Sequence, residues 1–527
     1  MSKRTNNPRR DFLKLTGLAA VAAASASAEA QAAAPDGHPF SGPLPKKWDE
    51  TYDLVIVGGG GTGLCAAVEA AQRKVKLLVM EKRPFIGGIS AMATGNFYGA
   101  ETKMQKEQGI KGATLDAWWK LLQEGKGLSE PIKRVRDNSM SSPVYYGLAM
   151  RNEKLLKDIT WEYATLIDFL VNYGAKFMPL VQERPFTHTV VRGYLPGVFQ
   201  KVADDIRKGG GKIVTGTRAN KVYLDASGKV AGVRASGPGG KVVNIRTKAI
   251  LMASGGFLDN DMLTKRYLPY WMNQGYVNSA FLFSDGGSMP EQTGDGIVMG
   301  LEVNAAVDDM DAGFKYKIAP KNKGDALVNG IALARSPIIF VNQDGKRFYD
   351  DSQDYSELTM ALVRTGGKYG HFVFDHSALS TPGAKTFEFA ELIEKGVIFK
   401  GDTLKDVAAK AGVNPDNLQA TVDQFNKDFD EKGVDSAFGK KGPLFQKIVQ
   451  PPFYISDKHF PVRFKTEGGL ETDDKTRVLD HRTVKPIAGL YAAGATSGTC
   501  TARLGDSMQC GRMAGRYIAD DLRSKVI

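Results

Sequence analysis

The stretch Tyr52–Arg83, YDLVIVGGGGTGLCAAVEAAQRKVKLLVMEKR, decides the fold. Asp53 to Val57 is apolar and β-branched and reads as a buried strand. Gly58, Gly60 and Gly63 follow with the spacing GxGxxG, and Gly61 lies among them. Leu64 to Arg73 is rich in alanine and reads as a helix; Lys76 to Met80 reads as the next strand, which Glu81 closes. Glycines at this spacing allow a tight turn and let backbone N–H groups at a helix start approach a pyrophosphate. Glu81 stands 18 residues past Gly63, where a carboxylate accepts from ribose hydroxyls. The unit predicts an α/β fold holding a dinucleotide. A structural turn beside an incidental glutamate is the competing reading.

Composition sets the bounds around that unit. The chain has 527 residues, 42% hydrophobic and 24% charged, which suits a soluble protein of more than one domain. Its 59 glycines cluster in short turns and form no low-complexity tract, so disorder is not expected. Net charge is +12, of which the first 32 residues supply +3. No basic run is interleaved with aromatics, which argues against nucleic-acid binding. A mildly positive field suits small anionic substrates or an acidic redox partner. The cysteines, Cys65, Cys500 and Cys510, form neither CxxC nor CxxCH, so attached haem is not expected. Cys65 reads as core, and Cys500 and Cys510 could pair after export. HExxH, Cys/His sets and GxSxG are absent, so neither a metal site nor a serine hydrolase is expected.

The N-terminus reads as an address. Residues 1–32 have a basic start, a short Ala/Ser-rich apolar run and A-x-A sites at Ala28-Glu29-Ala30 and Ala30-Gln31-Ala32. The run is too short and too rich in small residues for a membrane span. Arg9-Arg10-Asp11-Phe12-Leu13-Lys14 resembles the twin-arginine export signal, with an ordinary basic signal peptide as the alternative. That route carries folded proteins, so it implies a cofactor inserted before export and a periplasmic location. Residues 33–49 read as a linker.

Further segments carry a family resemblance. They are PFIGGISAMATGNFYGA (Pro84–Ala100), KAILMASGGF (Lys248–Phe257), TGDGIVMGLEVNAAVDDM (Thr293–Met310), IFVNQDGKRFYDD (Ile339–Asp351), GGLETDDKTRVLD (Gly468–Asp480) and the closing GLYAAG…ARLGDSMQCGRMAG (Gly489–Gly515). In that order they resemble the FAD-dependent flavoproteins related to fumarate reductase, succinate dehydrogenase and the 3-ketosteroid 1-dehydrogenases. The likeness runs from Tyr52 to the end. It implies a Rossmann-like FAD-binding domain in two pieces, 50–309 and 466–527, interrupted by an α+β capping domain, 310–465. It implies FAD contacts at Gly58, Gly60, Gly61, Gly63, Glu81, Lys82, Gly88, Ser90, Gly95, Asp295, Gly494, Ser507 and Met508, with the backbone of Val222 at the adenine. No histidine stands in the GGIS segment, so the FAD is expected to be non-covalent. Lys212 to Thr215 reads as a further strand, and Ala226-Ser227-Gly228 as a hairpin turn. In the capping stretch, Asn414 and Asp416 are helix-start candidates, and Leu418, Val422 and Phe425 recur at helical spacing.

Reduction of an activated double bond needs a hydride, a proton donor and cations that hold the substrate's anion. Arg503, in ARLGDS, aligns with the arginine that grips a substrate carboxylate in the reductase relatives; the competing reading has it touch only FAD or Asp506. Lys465 falls where those relatives carry a histidine pair, either as an anion ligand or as a solvated lysine. Counting from GKRF places Tyr355 where they carry the proton-donating arginine, and a one-residue slip would give Asp354. His188, with Arg192 behind it, lies near the segment that lines the substrate pocket, although a satisfied polar histidine is the plainer reading; His459 is a weaker candidate. Three departures matter. The cap has no fumarate-binding histidine in GFKYKIAPKN, NGIALAR replaces a Thr-Glu pair, and Ala495 stands where a Glu is usual. Glu467 also takes a place that is usually apolar or neutral. Fumarate itself is therefore not the expected substrate, and a larger enoate, such as an aromatic one, suits the losses better.

These features predict a periplasmic reductase of α,β-unsaturated carboxylates. Its electrons would come from an external donor such as a c-type cytochrome. A dehydrogenase that introduces a C=C bond is the alternative, and a non-catalytic flavin carrier is a third class.

Overall fold

The computed structural model describes residues 40, 42–91, 93, 95–123, 153–180, 182, 185–191, 193–269, 292–311, 314–320, 337–352, 355–380, 389–499 and 504–527. The expected export signal, Thr94, Arg192, Asp354, Cys500 and Arg503 lie outside the described residues, as do the side chains of Tyr355 and Lys465.

The runs LVIV (Leu54–Val57), LLVM (Leu77–Met80) and AILM (Ala249–Met252) are apolar at every position because both of their faces are covered. They lie in a six-stranded sheet with the order Arg477–Leu479, Pro486–Ala492, Ala249–Met252, Leu54–Val57, Leu77–Met80, Lys212–Val214. Five of these strands run parallel, and Arg477–Leu479 pairs antiparallel at the edge. Alternate side chains enter different cores. Leu54 and Ile56 pack with Leu64, Phe199, Met508 and Met513 under the helices. Val55 and Val57 pack with Val222, Val233, Met252 and Leu490 under a second sheet. That second sheet has four strands, in the order Glu50–Thr51, Val242–Arg246, Val230–Ser236, Arg218–Leu224. Its hairpin turns at Asp225–Lys229, with Gly228 at φ +84°. Observed strands and helices fall within a few residues of the expected bounds; the nucleotide helix, for instance, runs Gly61–Gln72.

The last helix, Leu504–Arg523, is built into this unit. It crosses the helix Gly61–Gln72 on two glycines. A Cβ at Gly511 would stand 2.3 Å from Thr62 O, and one at Gly515 2.3 Å from Ala66 O. Only residues without a Cβ permit that approach. The first and last parts of the sequence thus share one core. Cys510 is buried on this helix, and Cys500, its expected pairing candidate, lies outside the described residues.

A separate antiparallel sheet comes from the middle of the chain. Its order is Phe314–Pro320, His459–Thr466, Gly370–Asp375, Phe453–Ser456, Ile398–Gly401, with Ile339–Asn342 also paired to Gly370–Asp375. The helix Pro415–Lys432 covers it with Leu418, Val422 and Phe425. The Asn414 side chain accepts from Asn417 N–H and caps this helix, and Gly433, at φ +64°, ends it. A charged knot lies inside: Lys440 meets Asp351 at 2.6 Å, and Arg347 joins Asp351 at 3.1 Å and Asp435 at 2.7 Å. All four side chains are almost wholly buried. The helix Tyr355–Arg364 packs on Phe314–Pro320 and His459–Thr466. Its Met360 joins a cluster with Phe257 and Ile297, which ties this sheet to the first unit.

Candidate active site

In open α/β sheets, ligands bind beyond the carboxyl ends of the strands. Here Val57, Met80, Met252 and Ala492 all end at that edge. Their continuations are Gly58–Gly60, Glu81–Arg83, Ala253–Gly255 and Ala493–Gly494. Gly58 adopts φ +113°, and a Cβ there would lie 2.3 Å from Ala253 O. A Cβ on Gly63 would lie 1.9 Å from Gly58 O. Gly60 caps the nucleotide helix without any side-chain bond. Its own Cβ position is uncrowded, with Gly87 O in ordinary contact at 3.9 Å. A helix start with uncapped backbone N–H groups beside a glycine floor is the shape and polarity a pyrophosphate needs.

The second glycine segment sits on the first. Gly87 N–H donates to Gly59 O at 2.8 Å, and Gly88 stands 3.6 Å from Gly60 Cα, measured from its Cβ position. A Cβ on Gly61 would meet Ser90 Oγ at 2.8 Å and Met508 Cγ at 3.2 Å, and one on Gly494 would meet Thr62 Oγ1 at 2.5 Å. The structure therefore brings Gly58, Gly60, Gly61, Gly63, Gly88, Ser90, Gly494 and Met508 together around one helix start. Ser507 lies beside Met508 and is buried. Gly95, at φ +75°, packs against Val190 further along the same segment.

Glu81 is 7% exposed. Its Oε2 accepts from Gly59 N–H and its Oε1 from Arg83 N–H, both at 2.8 Å. Each oxygen keeps a lone pair for a ribose hydroxyl. The residues present fit FAD at its pyrophosphate and ribose.

Three further residues of the expected set lie around Glu81 and the strand that follows. Val222 is buried between the two sheets, in a core with Val55 and Val233. Just before its strand, Thr217 N–H donates to Glu81 O at 2.9 Å. Asp295 does not offer a free carboxylate. Arg218 grips it with two bonds, of 3.0 and 2.6 Å, and Thr293 Oγ1 donates at 2.8 Å. Burial opposes its ionisation, yet Arg218 and Lys82 hold its pKa below the ordinary carboxylate range. The Lys82 ammonium donates to Thr293 Oγ1 at 2.6 Å, turned toward the same knot.

His188 and His459 both lie in buried, hydrogen-bonded positions. His188 is wholly buried, its Nε2 is 2.9 Å from Thr102 Oγ1, and its Nδ1 bonds Phe186 O at 3.2 Å. Both ring nitrogens therefore have partners. Burial pushes its pKa down to about 4. His459 is also buried, donates to Asp457 O at 2.6 Å, and has its pKa pushed down to about 4 by burial.

The candidate substrate region is where four segments meet. Thr466 Oγ1 accepts from Phe257 N–H at 3.1 Å. A Cβ on Gly469 would lie 2.3 Å from Thr496 O, and Thr496 Oγ1 donates to Gly255 O at 3.1 Å. Thr466 ends the strand that carries Lys465, which pairs with Lys315. The buried hydroxyls of Thr472, Ser497 and Thr499 bond one another just before residue 500. Just after residue 503, buried Asp506 accepts from Tyr163 Oη. Tyr163, Thr472, Thr499 and Arg218 escaped the sequence reading, because nothing local links residues tens to hundreds of positions apart. Asp506 was visible only as a neighbour of Arg503. Among the described residues no group of three or more His, Cys, Asp or Glu could hold a metal ion, and no helix is long and apolar enough to cross a membrane.

Residues 172–505 match the family described as FAD binding domain. The chain belongs to that family. Residues 53–256 also match the family described as FAD dependent oxidoreductase, and the cofactor is FAD. Among curated proteins, the chain is 30% identical to NADH:acrylate oxidoreductase of Vibrio harveyi, over 90% of this chain and 51% of that one. It is 27% identical to NADH:fumarate oxidoreductase of Klebsiella pneumoniae, over 91% and 47%. It is 27% identical to urocanate reductase of Eggerthella lenta, over 89% and 74%. The chain thus spans about half the length of the first two relatives. Among solved structures, an open flavocytochrome c3 fumarate reductase superposes with TM-score 0.71 at 22% identity, covering 90% of this chain and 79% of that one. A 3-ketosteroid-delta4-(5alpha)-dehydrogenase from Rhodococcus jostii gives 0.59 at 20%, covering 91% and 99%. At these identities the two superpositions show the shared fold.

Proposed function

We propose that the chain reduces the C=C bond of an α,β-unsaturated carboxylate other than fumarate. The observation that carries this reading is the likeness to acrylate, fumarate and urocanate enzymes over about nine tenths of the chain. The dehydrogenase alternative rests on fold likeness alone. Reduced FAD supplies the hydride. Arg503 grips the substrate carboxylate and takes up the charge that grows there, as a guanidinium fork suits. Tyr355 delivers the proton to the other carbon, and Lys465 adds a second positive charge. The buried hydroxyls of Thr472, Ser497 and Thr499 on one side, and the Tyr163–Asp506 pair on the other, brace the chain that leads into and out of Arg503. The departures from the fumarate pattern at Ala495 and in NGIALAR support a larger, aromatic enoate. The twin-arginine-like leader supports a periplasmic location, and the likeness to fumarate reductase (cytochrome) of Shewanella frigidimarina supports an electron donor such as a c-type cytochrome.

The test compares directions. With a reduced viologen as donor, turnover of cinnamate-like enoates is expected to exceed dye-coupled oxidation of the saturated acids. Arg503→Ala is expected to lower kcat/KM by roughly 100-fold or more, about 2.7 kcal/mol of transition-state stabilisation. Unchanged turnover in Arg503→Ala, or faster oxidation than reduction, sinks the reading.

A further inference from the structure

A dinucleotide with its pyrophosphate at the nucleotide helix has two ends, and Glu81 takes one of them. The other end must run the opposite way, past Ser90, Gly494 and Met508, which close on the same helix start. A Cβ on Gly61 would meet Ser90 Oγ at 2.8 Å and Met508 Cγ at 3.2 Å, and one on Gly494 would meet Thr62 Oγ1 at 2.5 Å. That route leads to the first turn of the helix Leu504–Arg523, and the turn carries an acid, Asp506. Asp506 is 5% exposed and accepts from the hydroxyl of Tyr163, itself 2% exposed. Gly505 makes the room: a Cβ there would stand 2.3 Å from Tyr163 Oη. Burying a carboxylate is costly, and a hydrogen-bond donor offsets part of the cost. Joining the two helices does not require it. Glu162, at the start of the helix Tyr163–Asn172, already accepts from Gln509 Nε2 at 2.9 Å and pairs with Arg516.

We infer that Asp506 lowers the reduction potential of the bound flavin, and that Tyr163 tempers this effect. The start of a helix carries a partial positive charge of about half a unit. Beside the flavin it favours added electrons. Two-electron reduction leaves a flavin more negative whenever fewer than two protons are taken up with the electrons. A carboxylate in the same helical turn opposes that gain, and burial keeps salt from screening it. The Tyr163 hydroxyl turns the positive end of its dipole to the carboxylate and so weakens its outward field. A lower potential makes reduced FAD the stronger reductant, which is the direction that the proposed reaction needs. The inference rests on FAD binding alone and stands whatever the substrate proves to be.

The test is the midpoint potential of the FAD-loaded full chain, measured by anaerobic reductive titration against reference dyes, with no substrate present. Asp506→Asn keeps an oxygen for Tyr163 and removes the charge. At a fixed potential it is expected to raise the reduced-to-oxidised ratio about 10-fold, an upward shift of about 30 mV for a two-electron couple. That is the scale of one unit charge felt over roughly 10 Å at an effective dielectric constant of about 20. Tyr163→Phe should shift the ratio the other way, by a smaller factor, because the carboxylate loses the dipole that tempers it. Glu162→Gln loosens the same pair of helices but removes a charge that is 37% exposed, so it should leave the potential at the wild-type value. An unchanged or lower potential in Asp506→Asn overturns the inference. So does an equal rise in Glu162→Gln, which would assign the effect to helix placement. Should Asp506→Asn fail to fold or to hold FAD, Tyr163→Phe decides, and an unchanged or raised potential there overturns the inference.

Discussion

Gly511→Ala tests whether the end of the chain shapes the cofactor cradle. The new methyl would stand 2.3 Å from the backbone oxygen of Thr62, where ordinary contact begins at 3.4 Å. The two helices must therefore part by about 1 Å, since interiors are close-packed and backbone cannot yield like a side-chain tip. Thr62 lies in the first turn of the nucleotide helix, so the displacement falls on the N–H groups that meet the pyrophosphate. Overpacking of this kind costs about 1–3 kcal/mol. Without FAD the helix start can drift and relieve the clash, whereas bound FAD holds it in place. The cost then appears as a rise of roughly 5- to 150-fold in the FAD dissociation constant. Titration of apoprotein into FAD, followed by flavin fluorescence, measures it. Gly197→Ala is the control: it lies inside the helix Tyr194–Lys208, and its Cβ would meet nothing within 4 Å. That change should leave FAD affinity alone and stabilise the fold by roughly 0.4–1 kcal/mol. Wild-type FAD affinity in Gly511→Ala would refute the packing argument.

Three other outcomes are expected. His188 is buried with its pKa pushed down to about 4 from 6.5, so the unfolded chain binds more protons between those values. Its contribution is complete above pH 6.5 and fades as pH falls toward 4, by about 3 kcal/mol; urea midpoints against pH should show the slope, and His188→Gln should flatten it. Asp351→Asn strips the buried Lys440 of its charged partner, and a loss of about 3–5 kcal/mol is expected in the same urea assay. Tyr355→Phe should lower kcat by roughly 100-fold or more with little change in KM, as loss of a proton donor does.

The fold was legible where local chemistry dictates it. LVIV, the glycines and Glu81 each follow from a strand, a turn or a ribose contact within thirty residues. The end of the chain was legible too, because GLYAAG and the helix after it repeat a known closing pattern. Long-range pairings were hidden. Arg218 reads as a charge opening a strand, and only folding places it on Asp295, 77 residues away. The strand that carries Val222 is legible from its pattern, but the bond just before it, from Thr217 N–H to Glu81 O, is not. For His188 the plainer reading from sequence is a satisfied polar histidine, but its partner is not legible there. Its bond to Thr102, 86 residues earlier in the chain, makes it part of the core.

The most direct measurement is a single turnover without oxygen. The bound FAD is reduced chemically, excess reductant is removed, and a set of enoates is added while the visible spectrum is recorded. The account predicts prompt return of the oxidised flavin bands with an aromatic enoate and a much slower return with fumarate. Flavin that stays reduced with every enoate, while a saturated acid or ketone bleaches the oxidised form, contradicts it.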